Sequence, residues 1–245
     1  MKIESSYIQI IAIVGLVVAL VFLSMSGSNS SVGVAEQRNA ISVTGSHEMS
    51  VMPDKAYIYA NIETSGKTAK ESQDLNKEKS NAVINYLKGL KISSDNIETD
   101  YYYIYQRDIY EPRTGERKGI EYITTYRLKV SVSDLESVGD IVDGVINAGA
   151  TGINNIVFDL SKEKREEVNT AVLGLASEKA EEKAKAIAKG LNLHLGKVVS
   201  VSESNVNISP YYLNFAMAEK SSGVSTQIMP QMLDVRASIS VSYEI

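Results

Sequence analysis

Residues 8–23 constrain this chain more than any other feature, because they are almost entirely apolar. The run contains no charged side chain and one polar side chain, Gln9. A helix of a soluble domain normally keeps one polar face, and this run has none. The run therefore argues against a buried core helix and predicts a segment that enters a membrane.

Residues 1–25 allow two interpretations, a membrane anchor or a cleaved signal segment. As a helix, residues 8–25 would be about 27 Å long, which exceeds a usual signal-peptide core and is short for a full span. Lys2 favours a cytoplasmic N-terminus, and Glu4 offsets part of that bias. Small residues around Met25 permit cleavage. Either interpretation places the remaining chain outside the cytoplasm.

Composition excludes several function classes. The chain has no cysteine, which excludes thiol catalysis, zinc–thiolate sites, iron–sulfur clusters and disulfide stabilisation. Its formal net charge is −5 and it has no basic block, so nucleic acid is not an expected partner. No cofactor is indicated.

The rest of the chain divides into a tether and a folded domain. Residues 26–39 are small and polar, which predicts a flexible tether. The following 200 or so residues suffice for one good-sized core or two small ones, and we take 40–245 as one domain. Sequons occur at Asn29 and Asn207, and the sequence leaves open whether either is glycosylated.

Alternation of apolar and polar residues predicts the strands. The final strand, from Val235 to Ile245, alternates most regularly. Residues 97–110 and 119–133 predict a long hairpin, with its turn in 111–119. Strands are predicted over 40–44, 56–63, 97–110, 119–133, 153–160, 197–204 and 235–245.

Helical spacing and capping residues predict three helices. Thr68 and Glu71 form a capping box for a helix that ends at Gly89, and Ser133 and Glu136 form a second. Ser161 caps the longest helix, over about 162–190. The predicted apolar stripe of the first helix is Leu75, Val83, Leu87 and Leu90. That of the longest is Val168, Val172, Leu175, Ala176, Ala180, Ala184, Ile187, Ala188 and Leu191.

The order of these elements indicates an α+β fold, with mixed, mainly antiparallel sheets and three helices besides the N-terminal segment. Residues 205–231 contain prolines, glycine and serines but no regular pattern. A gap of that length is unusual in a compact domain. We interpret it as a packed loop, a mobile cover or an adaptable contact.

The sequence predicts no catalytic, cofactor-binding or metal site. His47 and His194 have no second histidine or carboxylate at ligand spacing. Common nucleophile, phosphate-binding and zinc motifs are absent. We expect His47 between two strands and His194 just past the long helix, each in an ordinary structural role.

Tyrosines concentrate in the predicted hairpin, which holds half of the chain's 14. Three consecutive tyrosines cannot all face a core from one strand, so some must be exposed. Exposed tyrosine suits a contact surface, and it equally suits cross-strand pairing on a long ribbon. Both interpretations stay open. The candidate contact residues are Tyr101, Tyr102, Tyr103, Tyr105 and Tyr110.

Seven short motifs, in order along residues 40–245, match one known family. They are Ile41-Ser-Val-Thr-Gly45, Pro53-Asp54-Lys-Ala56, Val138-Gly-Asp140, Ala148-Gly149-Ala150 with Ile153-Asn154, the Ala/Lys/Glu helix ending Lys183-Ala184, Leu195-Gly196-Lys197-Val198, and Tyr243-Glu244-Ile245. The chain thus resembles the SIMPL-domain family, which includes YggE-like periplasmic and cell-envelope proteins. The resemblance implies an α+β domain, export and a tendency to homo-oligomerise. Some members are associated with oxidative stress, and no catalytic residue comes with the family.

Three functions remain open. The favoured one is a non-enzymatic, membrane-tethered extracytoplasmic domain that self-assembles or mediates protein contacts at the cell envelope. The hairpin and the regular terminal strand support it, since hairpins and edge strands can extend a neighbouring sheet. The second is a small-ligand-binding protein or unrecognised enzyme with a pocket under 205–231. The third is protection of the envelope against oxidative stress.

Overall fold

The computed structural model describes residues 39–214 and 226–245, in which α-helices and β-strands are mixed along the chain. The predicted α+β class is confirmed. The predicted N-terminal helix lies outside the described residues. No helix in the described part is long and apolar enough to cross a membrane. The elements are β1 (Ala40–Val51), β2 (Lys55–Gly66), α1 (Ala69–Gly89), β3 (Ile97–Tyr110), β4 (Arg117–Val132), α2 (Val138–Asn147), β5 (Gly152–Asp159), α3 (Lys162–Gly190), β6 (Val198–Glu203), β7 (Asn207–Ile208), β8 (Tyr211–Asn214) and β9 (Leu233–Glu244).

One antiparallel sheet, which we name sheet A, joins the two ends of the domain. Its strand order is β1-β9-β6, and β7 also pairs with β9. β9 pairs with β1 along its whole length, from Glu244 opposite Ala40 to Leu233 opposite Val51. The regular C-terminal strand is thus confirmed, but it lies inside the sheet. It offers no free edge to a partner, because both of its sides are already paired.

Helix α3 covers one face of sheet A through small residues. Its alanines at four-residue spacing are buried against β1 and β9, so the helix backbone lies close to the strands. The predicted span and the Ser161 cap are confirmed, since the Ser161 hydroxyl accepts from the Lys164 amide at 3.2 Å. The predicted stripe is wrong at its larger residues, because only the small side chains lie against the sheet and Leu175, Ile187 and Leu191 are exposed.

The second antiparallel sheet, sheet B, has the order β3-β4-β2-β5-β8. Helices α1 and α2 cover one of its faces and form the largest apolar cluster. Ile58, Leu128 and Phe158 of the sheet lie in this cluster with Val83 of α1 and Val142 of α2. The opposite face carries the alternate positions of the same strands, among them Tyr57, Lys129 and the buried Ile123 and Val157.

Helix α1 buries polar residues where the sequence predicts apolar ones. Leu75 and Leu90 are exposed, whereas Ser72, Asn76 and Ser80 are buried. The predicted stripe is confirmed at Val83 and Leu87 and is wrong at Leu75 and Leu90. The first half of the helix instead faces polar groups of sheet B. Ser72 donates to the Thr124 hydroxyl at 2.7 Å, and Asn76 Nδ2 donates to the carbonyls of Ile62 at 2.8 Å and Thr124 at 3.1 Å.

Two of the three predicted caps hold. The Thr68 hydroxyl accepts from the Glu71 amide at 3.1 Å, while the Glu71 carboxylate reaches back to the Lys67 amide at 2.8 Å. The second capping box was wrong, because the Asp134 carboxylate takes that place and accepts from the Glu136 amide at 3.2 Å. A single 3-10 turn, Leu135–Ser137, then leads into α2.

Three predicted boundaries need correction. β1 does not stop at Thr44, because Gly45 continues it and His47 lies within the strand opposite Ala237. The hairpin turn is shorter than predicted, because β4 already begins at Arg117. Within 205–231, β7 pairs with β9 and β8 pairs with β5, so part of that segment is sheet.

Candidate contact surface

The register of the hairpin divides the five candidate tyrosines between two faces of sheet B. Tyr101, Tyr103 and Tyr105 lie opposite Arg127, Thr125 and Ile123, on the face away from α1 and α2. Tyr102 lies opposite Tyr126, on the helix-covered face. Alternation along a strand makes this division unavoidable. Tyr110 lies at the far end of the hairpin, opposite Arg117.

The three tyrosines on the open face form a row along β3. The ring centroids of Tyr101 and Tyr103 are 5.5 Å apart, and those of Tyr103 and Tyr105 are 5.4 Å apart with nearly parallel planes. Tyr103 is 48% exposed, whereas its two neighbours are half-buried. The rings support one another and leave the central one available for contact.

Strand β4 supplies two cations beneath this row. The Arg127 guanidinium lies 4.1 Å from the centroid of the Tyr101 ring, and its Nε donates to the Asp100 carboxylate at 2.5 Å. Lys129 Nζ lies 4.7 Å from the centroid of the Tyr57 ring and donates to Glu98 at 3.1 Å. Both cations are thus held by a carboxylate and an aromatic ring.

The surface also includes Tyr57 and Tyr59 of β2, which sequence reasoning did not place there. They alternate with the buried residues of β2, so the signal was already present in the strand pattern. We name Tyr57, Tyr59, Tyr101, Tyr103 and Tyr105 the tyrosine surface.

Two titratable groups of this region have raised pKa values. Burial raises the pKa of the Tyr59 hydroxyl above its ordinary value, with Lys129 and Arg127 acting against this. Burial lowers the pKa of Lys129, but the hydrogen bond and charge of Glu98 outweigh it, so the net shift is upward. Neither shift brings a group toward neutral pH, which is where an acid or base catalyst would need to titrate.

Beyond the end of β2, the hairpin continues as a two-stranded ribbon over residues 107–121. The last pair between β2 and β4 is Gly66 opposite Tyr122. Arg107 pairs with Glu121 at 2.9 Å, Arg117 pairs with Asp108 at 2.7 Å, and Lys118 pairs with Glu111. An isolated hairpin is only marginally stable in water, and these exposed ion pairs each add little.

The ribbon exposes large apolar side chains between its charges. Ile109, Tyr110 and Ile120 are all exposed. Mixed aromatic, aliphatic and charged groups of this kind are typical of protein–protein contact surfaces. Cross-strand pairing of tyrosines is observed as well. The ring centroids of Tyr102 and Tyr126 are 5.7 Å apart, and the rings meet edge to face. Cross-strand tyrosine pairing therefore involves Tyr102, which lies on the helix-covered face.

A surface depression of about 430 Å³ lies between the turns that follow α1 and β4. Ser93, Ser133 and Asp134 are among its lining residues. Within residues 39–214 and 226–245, no three His, Cys, Asp or Glu side chains are placed to hold a metal ion. His47 lies in β1, and His194 follows α3.

A known protein family matches nearly the whole folded region. Residues 41–243 match the model of SIMPL, described as a protein of unknown function (DUF541). The chain belongs to the SIMPL family. The resemblance that the seven motifs carry is thereby confirmed, and both sheets and all three helices of the SIMPL domain lie within the match.

Two SIMPL relatives, both from Brucella, carry the same protein name. The chain is 28% identical over 175 residues to the "26 kDa periplasmic immunogenic protein" of Brucella melitensis biotype 1. It is equally similar to the protein of that description from Brucella abortus strain S19. Each match covers 66% of this chain and 66% of the relative, just under two thirds of either length.

Proposed function

We propose that this chain is a non-enzymatic, membrane-tethered extracytoplasmic domain that makes protein contacts, with copies of itself or with other envelope proteins, through the tyrosine surface and the ribbon. The observation that carries the proposal is the exposed Tyr103 ring, held between Tyr101 and Tyr105 on an edge strand. Tyrosine gives a large contact area for little loss of side-chain entropy.

The supporting geometry is that of a prearranged surface. The Arg127 side chain is half-buried, is held by the Asp100 carboxylate and lies over the Tyr101 ring. A surface whose side chains are already ordered loses less entropy on binding. Arg127 and Lys129 are already paired with carboxylates. The aromatic rings are therefore the main groups that a partner could contact.

An extracytoplasmic location has two lines of support. The two SIMPL relatives are described as periplasmic. The apolar run of residues 8–25 is of the kind that directs a chain into or across a membrane. Tethering by that run, as opposed to its cleavage, belongs to the proposal.

Site-specific photocrosslinking of the full chain in cells tests the contact surface. A photoreactive phenylalanine analogue at position 103 should give defined adducts, which mass spectrometry identifies as a second copy or another envelope protein. The same analogue at position 212 is the control, because Tyr212 is exposed on the opposite edge strand, β8. Equal adducts at both positions, or none at 103, would contradict the proposal.

A substitution provides the second arm. Tyr103→Ser should reduce the adducts formed by the photoreactive analogue placed at position 110 by about tenfold, as expected for loss of an interface tyrosine. Tyr212→Ser should leave them unchanged. Circular dichroism of each variant separates loss of contact from loss of fold.

A further inference from the structure

The surface depression between the turns that follow α1 and β4 lies where sheet B is incomplete. β3 begins at Ile97, opposite Val130, whereas β4 continues to Val132. On that side, the last residues of β4 have no strand partner among the described residues. The depression has a volume of about 430 Å³, which is within the range of small-molecule pockets.

Neutral polar residues form the largest group in the lining of this depression. They are Ser93, Asn96, Ser131, Ser133 and Ser137. Apolar side chains lie among them, with Val132 and Ile141 buried and Ile92 half-buried. Hydroxyl and amide groups both donate and accept hydrogen bonds. The lining therefore suits a ligand that also does both and that has some apolar surface.

Two of the neutral polar groups have no hydrogen-bond partner. Ser131 is only 9% exposed, and Asn96 is half-buried. Within the part of the chain that the structure describes, neither the Ser131 hydroxyl nor the Asn96 side-chain amide makes a hydrogen bond. Buried polar groups in native proteins normally have a partner. These two groups are therefore available to a bound molecule.

Lys91 adds a cation to the lining from a strained backbone position. It follows the end of α1 with a φ of 64°, in the left-handed region where glycine is usual. The residue at the same place after α3 is Asn192, with a φ of 54°, and asparagine tolerates this conformation better than lysine. Such strained positions cluster at functional sites. Among the described residues, the Lys91 ammonium has no ion pair or hydrogen bond.

The charges around the depression include both signs in equal number. The cations are Lys91 and Lys55, whose Nζ donates to the Ser133 hydroxyl at 3.2 Å. The carboxylates are those of Asp134 and Asp140. A ligand with a net charge would meet repulsion as well as attraction here. A neutral ligand with several hydroxyl groups avoids that repulsion and can bond to groups of either sign.

We propose that this depression binds a neutral saccharide of mono- or disaccharide size. The hydroxyl groups of the sugar exchange hydrogen bonds with the serines, Asn96 and Lys91. The C–H groups of a ring face contact the apolar side chains of the lining. The inference goes beyond the proposed function, because no residue of the tyrosine surface lines the depression.

Saturation-transfer difference NMR of the full chain tests the proposal, because this method detects weak binding to a large particle. The chain is kept in a polyoxyethylene detergent, which has no sugar headgroup. The probes are glucose, N-acetylglucosamine and cellobiose, and we expect saturation transfer to the ring protons of at least one of them. Transfer to none of the three sugars, or equally strong transfer to L-alanine and acetate, would overturn the proposal.

A substitution that relieves backbone strain locates the binding in the depression. Lys91→Gly removes the ammonium and should weaken the affinity for the bound sugar about tenfold, as expected for loss of a charged donor. It should also raise the Tm, because glycine adopts a positive φ without strain, so the weaker binding cannot come from unfolding. Asn192→Gly is the matched control, which should leave the affinity unchanged.

A second substitution tests the unpaired amide. Asn96→Leu should weaken the affinity about fivefold, as expected for loss of a neutral hydrogen bond, and circular dichroism checks that the variant is folded. If the leucine variant does not fold, Lys91→Gly decides alone. Unchanged affinity in Lys91→Gly or in a folded Asn96→Leu, or an equal loss in Asn192→Gly, would overturn the site.

Discussion

Gly45 of β1 and Ala180 of α3 are in direct backbone contact. A Cβ atom on Gly45 would lie 2.3 Å from the Ala180 amide nitrogen and 2.2 Å from the Ala176 carbonyl oxygen. Real Cβ atoms do not approach backbone atoms so closely, and neither the strand nor the helix has a flexible group there that could move aside. This contact sets the distance between α3 and sheet A.

Gly45→Ala should therefore destabilise the domain by about 3 kcal/mol, the upper part of the usual range for overpacking. Urea unfolding followed by circular dichroism measures the effect. Gly174→Ala, in α3, is the matched control, because a Cβ there meets nothing within 4 Å. It should stabilise the helix by about 0.5–1 kcal/mol. A stability loss at Gly45 no larger than about 0.5 kcal/mol would contradict the close contact.

The side-chain amide of Asn76 should contribute to the free energy of unfolding, because it is buried and hydrogen-bonded. Asn76→Ala removes the donor to the carbonyls of Ile62 and Thr124. It should lower the free energy of unfolding by about 2 kcal/mol, because both buried carbonyls lose this hydrogen-bond partner. Asn81→Ala, an exposed position of the same helix, should change stability by less than about 0.5 kcal/mol. Similar values for the two variants in urea unfolding would show that the buried network contributes nothing.

The Arg127 guanidinium should not be replaceable by another cation. Arg127→Lys loses planar stacking on Tyr101 and the directed bond to Asp100, and we expect a loss of about 1 kcal/mol. Lys70→Gln is the comparison, since the exposed pair Lys70–Asp74 should contribute less than about 0.5 kcal/mol. Thermal unfolding of both variants is the measurement. A lysine variant as stable as the parent would contradict the role of stacking.

Alkaline pH should lower the free energy of unfolding, because Tyr59 and Lys129 of sheet B lose their protons. The pKa values of Tyr59 and Lys129 are raised above their ordinary values of 10.0 and 10.5. A raised pKa in the folded state contributes stability that is fully present below the unfolded value and is lost as pH rises through the folded value. The free energy of unfolding should thus fall above about pH 10.

Tyr59→Phe separates the two groups, because phenylalanine has no proton to lose. Its free energy of unfolding, measured in urea from pH 8 to pH 11, should decline less steeply than that of the parent chain. Both should be compared at the same ionic strength, since screening alters the contribution of charged pairs. Identical declines would mean that Tyr59 does not contribute.

Several predictions from sequence held because their causes are local. The Thr68 and Ser161 caps bond to backbone amides three residues away. In β2 and β9, apolar residues alternate with polar ones, and the apolar residues are those that face a helix. In α3, the four-residue spacing of alanine marks the face that lies on sheet A. Each of these patterns is contained within a few residues of chain.

Other features depended on partners that are distant in sequence. The polar face of α1 is buried because Thr124 lies beneath Ser72, 52 residues away. Helical amphipathicity could not show this, because it assumes that polar residues face water. Similarly, Asp134 displaces Ser133 as a cap in the turn between β4 and α2, a choice between adjacent residues that spacing alone does not make.

The sequence by itself determined the α+β class, the long alanine helix, the family and the concentration of tyrosines on one hairpin. Only the tertiary structure decided which strands are edges. β9, the most regular strand, is interior because β1 pairs with it across some 200 residues, as in Ile41 opposite Tyr243. Edge and interior strands share the same alternation of side chains. Their difference lies in which backbone hydrogen bonds are already made, and those bonds join residues from opposite ends of the domain.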